Sequence, residues 1–206
     1  MKFKKNPFNS GYYQSQELKT FGFKRVGKNV EIAKNCTIVG LENISLGNNI
    51  RIDSNVIIAA NTGYLKLGNH IHIGAGSYLG CGGGINFSDF SGLSQNVHIY
   101  SASEDYSGKS MTNPTVLKKY RKIKSSPVFL KKHAIIGSGS VILPGVTIGT
   151  GASVGALSFI HISLDSWSVY FGVPAQKVNK RFNKLLLLEK KLVKETKWKK
   201  LQLLLK

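Results

Sequence analysis

The stretch LKKHAIIGSGSVILPGVTIGTGASVGALSF, residues 130–159, decides the fold. Aliphatic side chains recur at every sixth position, at Leu130, Ile136, Ile142, Ile148, Val154 and, just beyond, Ile160. Glycine follows directly at Gly137, Gly149 and Gly155, and a second set, Ala134, Ser140, Val146, Ala152 and Ser158, keeps the same interval. A period of six is neither the 3.6 of a helix nor the alternation of a long strand. It suits strands of two or three residues separated by sharp turns, with the aliphatic inward and the second set filling cramped corners. The register extends outward to Val26, Ile32 and Ile38, then Leu46, Ile52 and Ile58, then Leu67, Ile73 and Leu79, then Phe87, Leu93 and Ile99. Asn29, Asn35, Asn49, Asn55, Asn69 and Asn96, with Gly76, Gly139 and Gly145, fall at turns, where a left-handed backbone favours Gly and Asn. One short unit repeated in this way builds a solenoid in which each coil touches only its neighbours. About six coils at a strand spacing of roughly 4.8 Å give a prism on the order of 30 Å tall. An antiparallel sandwich of short strands is the competing reading, and so regular a repeat disfavours it. The period itself does not give the hand, and the crossover rule favours right-handed connections.

Three segments leave the register. Residues 1–25 precede it as a helical or extended segment, with Ser15 expected to cap a short helix and Gly22 to end it. Residues 100–127, YSASEDYSGKSMTNPTVLKKYRKIKSSP, interrupt it with a polar insertion too long for an ordinary connection, and such loops are commonly functional. Residues 175–206 are expected to leave the prism as a basic, leucine-rich amphipathic helix. That helix packs across the prism end or on a neighbouring subunit. Weak contact with an anionic membrane surface is the lesser reading, drawn from its lysines and Trp198. The prism domain is therefore expected over 26–174.

Composition narrows the function classes. The 206 residues are 42% hydrophobic, enough for a core, and only 19% charged with 22 glycines, which disfavours a coiled coil. The formal net charge of +19 favours anionic partners. Nucleic acid fits poorly, because the cations gather in the insertion and at the C-terminus without interleaved aromatics. No apolar run is long enough to span a membrane, and the basic N-terminus has no apolar stretch of the kind a signal peptide carries. Cys36 and Cys81 have no CxxC spacing and read as free thiols in a reducing cytoplasm. No His/Cys cluster has zinc spacing, so no metal is expected.

The repeats of residues 130–159, followed by WSVYFGVPAQKV at 167–178, resemble the hexapeptide-repeat acetyltransferases. The galactoside- and maltose-type enzymes and the sugar acetyltransferases of surface-polysaccharide clusters are the nearest in pattern. ILPGVTIG at 142–149 and GVPA at 172–175 carry the likeness. The resemblance implies an all-β solenoid, a left-handed parallel β-helix. It further implies a homotrimer with active sites between prisms, a long loop reaching from one subunit to the next, and acetyl-CoA as donor. It places donor contacts on Ser138 and on the Ala156 backbone, with basic contacts near Lys177 and Lys180. Relatives often carry Thr-Lys where this chain has His161 and Ile162, so Lys177, Lys180 or Arg181 would have to supply that charge. Acceptor contacts fall on Asn86 and Asp89.

Acyl transfer to a hydroxyl needs a base. Relatives place a His at the loop start, in a string such as IYTATH; here IYSASE, residues 99–104, puts Glu104 there, with Asp105 beside it. Three readings stay open: Glu104 or Asp105 raised by burial, His98 as the base, or an amine acceptor that needs none. The expected function is acetyl-CoA-dependent acetylation of a sugar or nucleotide sugar, at oxygen or nitrogen, in surface-polysaccharide or O-antigen assembly. A non-catalytic scaffold, or an acetyltransferase for serine or an antibiotic, is the alternative.

Overall fold

The computed structural model describes residue 6 and residues 8–204, with side chains up to residue 196. The first residues of the N-terminal segment and the Trp198 side chain therefore lie outside the described residues. Six complete coils and a partial seventh stack into a three-faced prism. The first face runs Arg25–Val26, Ile44–Leu46, Leu65–Leu67, Ile85–Phe87, Val128–Leu130 and Thr147–Ile148, all parallel. The third runs Thr37–Val39, Ile57–Ala59, Tyr78–Gly80, His98–Tyr100, Val141–Ile142 and Phe159–Ile160. The second face is nine-stranded, and its outermost strands, Tyr12–Gln14 and Gln176–Lys180, pair antiparallel to their neighbours.

The six-residue register is the core. Ile52, Ile73, Leu79, Ile99, Leu130, Ile136, Ile142 and Ile148 are all fully buried. The second set fills the corners: Ala134, Ser140, Val146, Ala152 and Ser158 are each at most 2% exposed. Serine is tolerated there because its hydroxyl has partners. Ser140 Oγ and Ser158 Oγ both donate to the Gly155 carbonyl, at 3.2 and 2.8 Å, and Ser158 N–H donates to Ser140 Oγ at 3.1 Å.

The turns correct the sequence reading in part. Asn29, Asn49, Asn55 and Asn96 do take positive φ, but Asn35 and Asn69 do not. His70 takes the left-handed position in place of Asn69, and Phe90, His133 and Trp167 continue the same column. Asn35 and Asn69 instead bond from coil to coil: Asn35 Nδ2 donates to Asn55 Oδ1, Asn48 Nδ2 to Asn69 Oδ1, and Asn69 Nδ2 to the Asp89 carboxylate, a side-chain ladder. The left-handed corner turns its side chains outward one coil apart. His70, Phe90 and His133 therefore stack, with ring centres 4.5 and 5.1 Å apart.

Both ends are covered. The helix Ser15–Leu18 buries Leu18 against the first coil. Gln14, not Ser15, is its N-cap; Ser15 Oγ accepts from the Val30 N–H at 2.7 Å, and the helix ends before Gly22. At the other end, residues 176–180 form a strand before the helix Leu185–Leu204 begins, so the prism continues past 174. The Arg181 guanidinium donates to the carbonyls of His133, Gly151 and Ala152. Glu189 pairs with Lys132 and His133 and ties the first turns of the helix to the prism. The four leucines 185–188 go round the whole first turn, and Leu187 and Leu188 are exposed, so the apolar side chains are not confined to one face. Among the described residues no helix is long and apolar enough to cross a membrane.

Leu79→Ala, a truncation at a fully buried site, is expected to cost about 2–5 kcal/mol. Ser45→Ala, on the outer side of a first-face strand, should stay within about 0.5 kcal/mol. Urea unfolding of the two variants checks the inward–outward assignment.

Candidate active site

The insertion leaves the third face after Tyr100 and returns at Val128. Its base is a short hairpin, Ala102–Glu104 against Ile123–Ser125. Fully buried Ser101 anchors it: Oγ donates to the Gly80 carbonyl at 2.7 Å and accepts from the Gly83 N–H at 2.9 Å. Two carboxylates then shape the rest. Asp105 accepts from the Ser107 N–H at 2.9 Å, the Ser107 hydroxyl at 2.6 Å and the Ser110 hydroxyl at 3.0 Å. Glu104 accepts from the Asn113 N–H at 2.6 Å on one oxygen and from Arg121 at 3.3 Å on the other. Asn113 in turn holds Thr115.

Between this loop and the prism lies a cavity of about 1120 Å³. Tyr100, Leu143, Pro144 and Phe159 line it from the prism, and Glu104, Asp105 and Met111 from the loop. Its inner wall is thus apolar and its outer wall polar, the usual composition of a small-molecule site.

Glu104 and Asp105 both line this cavity, and each has a structural duty. The Ser107 hydroxyl first, then its N–H, then Ser110, hold the Asp105 carboxyl down to about 2. A group that acidic is a weak proton acceptor at neutral pH. Both Glu104 oxygens already accept, one of them from a cation. His98 stands outside the cavity lining, on the third face beside the Tyr78–Tyr100 pair, with ring centres 6.1 and 6.4 Å away. Fully buried Cys81 has its thiol pushed up to about 12 by burial and remains protonated. Among the described residues no cluster of His, Cys, Asp or Glu could hold a metal ion.

The remaining expected residues are dispersed. Asn86 is on the first face, with Nδ2 donating to the Tyr64 hydroxyl at 3.0 Å. Asp89 closes the ladder to Asn69. Ser138 and exposed Ala156 sit one above the other at the corner between the second and third faces, where a Cβ on Gly137 would lie 2.4 Å from Ala156 N. Ser138 Oγ donates to Gln95. Lys177 pairs with Asp165 at 3.0 Å on the exposed last strand, which also holds Lys180. Arg181 spends Nη1 on three backbone carbonyls. The third face thus lies between the expected donor corner and the loop. Arg121 and Asn113, which order the loop, were missed because neither belongs to a repeat.

No family model matches the chain. A curated relative, the dTDP-4-amino-4,6-dideoxy-D-glucose acyltransferase of Escherichia coli, is 42% identical over 178 residues, 86% of this chain and 93% of that protein. Among solved structures, AntD, an N-acyltransferase from Bacillus cereus, superimposes with a TM-score of 0.86 at 41% identity, covering 92% of this chain and all of AntD, in complex with dTDP and 3-hydroxybutyryl-CoA. Another AntD complex holds dTDP-4-amino-4,6-dideoxyglucose and Coenzyme A. A maltose O-acetyltransferase from Clostridium difficile shares the fold, with a TM-score of 0.54 at 23% identity over 82% of this chain.

Asp105→Asn is expected to loosen the loop and speed tryptic cleavage at Lys109, Lys118 and Lys119 several-fold at neutral pH, with little change in melting temperature. Because the folded-state pKa is depressed, the ordering from ionised Asp105 is full above its ordinary 3.8 and is lost as pH falls through about 2. Hydrogen exchange at Ser107 should therefore show undiminished protection from pH 7 to pH 5.

Proposed function

The chain belongs to the hexapeptide-repeat acyltransferases, and on that premise we propose that it transfers an acyl group from coenzyme A to the amino group of a dTDP-4-amino-4,6-dideoxy sugar. The observation that carries this reading is the state of the two carboxylates where a catalytic base was expected. Asp105 is held strongly acidic, and Glu104 is tied to Arg121 and Asn113. A sugar hydroxyl would need a base to take its proton during attack. A neutral amine brings its own lone pair. It adds to the thioester carbonyl, the C–N bond forms, the C–S bond breaks, and the proton released from nitrogen passes to the departing thiolate. Positioning then supplies most of the rate, and the apolar cavity wall supports it by keeping water from the thioester.

Acetyl is the group expected from the sequence, and the 3-hydroxybutyryl-CoA held by AntD extends the candidates to short acyl chains. The product would be an activated N-acyl sugar, suited to glycosyl transfer into a surface polysaccharide. Both substrates are metabolites of the cytoplasm, which is where we place the reaction.

The same reading includes a homotrimer. The third face carries an outward apolar stripe, including Val39, Ile57, Tyr78 and Phe159. The loop exposes Tyr106 at 94% and Leu117 at 66%. Apolar surface of this extent favours burial against another copy. A neighbouring prism there would bring a donor corner to the cavity of the next subunit.

Glu104→Gln and His98→Asn are each expected to lower kcat less than about tenfold with the dTDP-amino sugar, whereas removing a true general base costs about 10²–10⁴-fold. A hundredfold loss in either variant would name that residue as the base and count against the amine mechanism. The wild-type kcat/KM should rise with pH as the amine deprotonates. Sedimentation at micromolar concentration should give three times the chain mass; a stable monomer there would remove the shared site.

A further inference from the structure

The C-terminal helix Leu185–Leu204 is fastened to the prism at one point. Among the described residues its only hydrogen bonds to the prism are those Glu189 accepts from Lys132 and His133. Both partners sit at the corner between the first-face strand Val128–Leu130 and the second-face strand Ile135–Ile136. In a three-faced prism that corner lies opposite the third face. A second copy packed on the third face therefore leaves the base of the helix uncovered.

The uncovered side carries leucine and lysine together. Leu185, Leu186 and Glu189 are half-buried, whereas Leu187 and Leu188 are 59% and 56% exposed, and Phe182, just ahead of the helix, is 92% exposed. Lys184 stands three and four residues before the two exposed leucines, and Lys191 four and three after them. At that spacing side chains are neighbours on a helix surface, so the two lysines bracket the leucine pair. Lys194 and Leu192 are exposed on the next turn. From residue 184 to the end the sequence holds eight lysines against two acids, and one of those acids, Glu189, is already paired.

Each part has a chemistry. Exposed leucine and phenylalanine gain by leaving water for an apolar phase. A lysine can lay its stem along apolar surface and still carry its ammonium out to an anion. A soluble polyanion would pair with the lysines and leave Phe182, Leu187 and Leu188 in water. An apolar protein surface would cover those three and leave the lysines without counter-charge. An anionic bilayer surface meets both needs, with acyl chains beneath a layer of phosphates. Among the described residues no helix is long and apolar enough to cross a bilayer, so the contact is one of surface only.

We propose that Phe182 and the first turns of the C-terminal helix form a contact site for an anionic lipid surface. Phe182, Leu187 and Leu188 enter the headgroup boundary, and Lys184, Lys191 and Lys194 pair with lipid phosphates. The contact needs neither substrate and stands apart from the acyl-transfer reading.

Sedimentation of the full chain with lipid vesicles tests it. Vesicles of phosphatidylglycerol and phosphatidylcholine in equal parts are expected to bind the protein, and phosphatidylcholine alone at least about tenfold more weakly. Leu187→Gln combined with Leu188→Gln should weaken binding to the anionic vesicles by about tenfold or more. Lys184→Gln, Lys191→Gln and Lys194→Gln together should weaken it by about a hundredfold. Lys118→Gln, Lys119→Gln and Lys122→Gln, the same loss of charge placed in the insertion, should leave it within about twofold. All these side chains are exposed, so the melting temperature should hold in every variant and show that each is folded. A wild-type protein that does not sediment with the anionic vesicles overturns the proposal. An equal loss in the insertion variant also overturns it, by assigning the binding to net charge. A loss in the helix lysine variant with none in the leucine variant overturns the bilayer contact and points to a soluble polyanion.

Discussion

The rest of the structure depends on backbone lying directly on backbone at the prism corners. Each coil must turn three times within a layer about 4.8 Å thick, in register with the coils on either side. A Cβ on Gly47 would come within 2.3 Å of the Gly68 carbonyl oxygen, and one on Gly137 within 2.4 Å of Ala156 N. These contacts leave no room for a side chain, so glycine is dictated there by the neighbouring coil, whatever its own φ. Where the corner instead requires a left-handed backbone, Asn serves, and even His70 and Phe90 are accepted because their side chains project into open space and stack. With the corners fixed, the short strands can only alternate inward and outward, and the aliphatic core follows.

That constraint explains what the sequence made legible. A rule imposed once per corner leaves a mark every six residues, and Leu130 to Ile160 display it without interruption. The inward residues and the place of the insertion could both be read from it. Outside the repeat the signal fails for physical reasons. Glu104 meets Asn113 and Arg121 at separations set by the loop's own path, which no period encodes. Ser15 looks like a cap by composition, but the adjacent Val30 N–H competes for its oxygen. The strand Gln176–Lys180 is mostly polar, because as an exposed edge it has no core to face, so it reads as a continuation of the basic tail.

The site divides its labour between scaffold and loop. The prism supplies flat walls of fixed spacing, and the cavity's apolar side, Leu143, Pro144 and Phe159, belongs to that rigid part. The loop supplies polarity and shape, and its two carboxylates are used to hold the chain in place. Asp105 gathers two serines and Glu104 spans from Asn113 to Arg121, so an insertion without a core is ordered by charge-assisted hydrogen bonds instead. On the reading proposed above, carboxylates spent on ordering the loop are compatible with an amine acceptor.

Asn86 pairs directly with Phe129, and Ile85 with Val128, as though the residues between were absent. The stacked column behaves the same way: Phe90, before the insertion, lies on His133, after it. Coil stacking is therefore indifferent to how much chain is spooled out between Tyr100 and Val128, and the entropy of closing a longer loop grows only logarithmically. In evolutionary terms the inserted segment is modular. It can be lengthened, shortened or exchanged without renegotiating the core, so the outer wall of the cavity can be rebuilt by changing one segment while the solenoid is inherited intact.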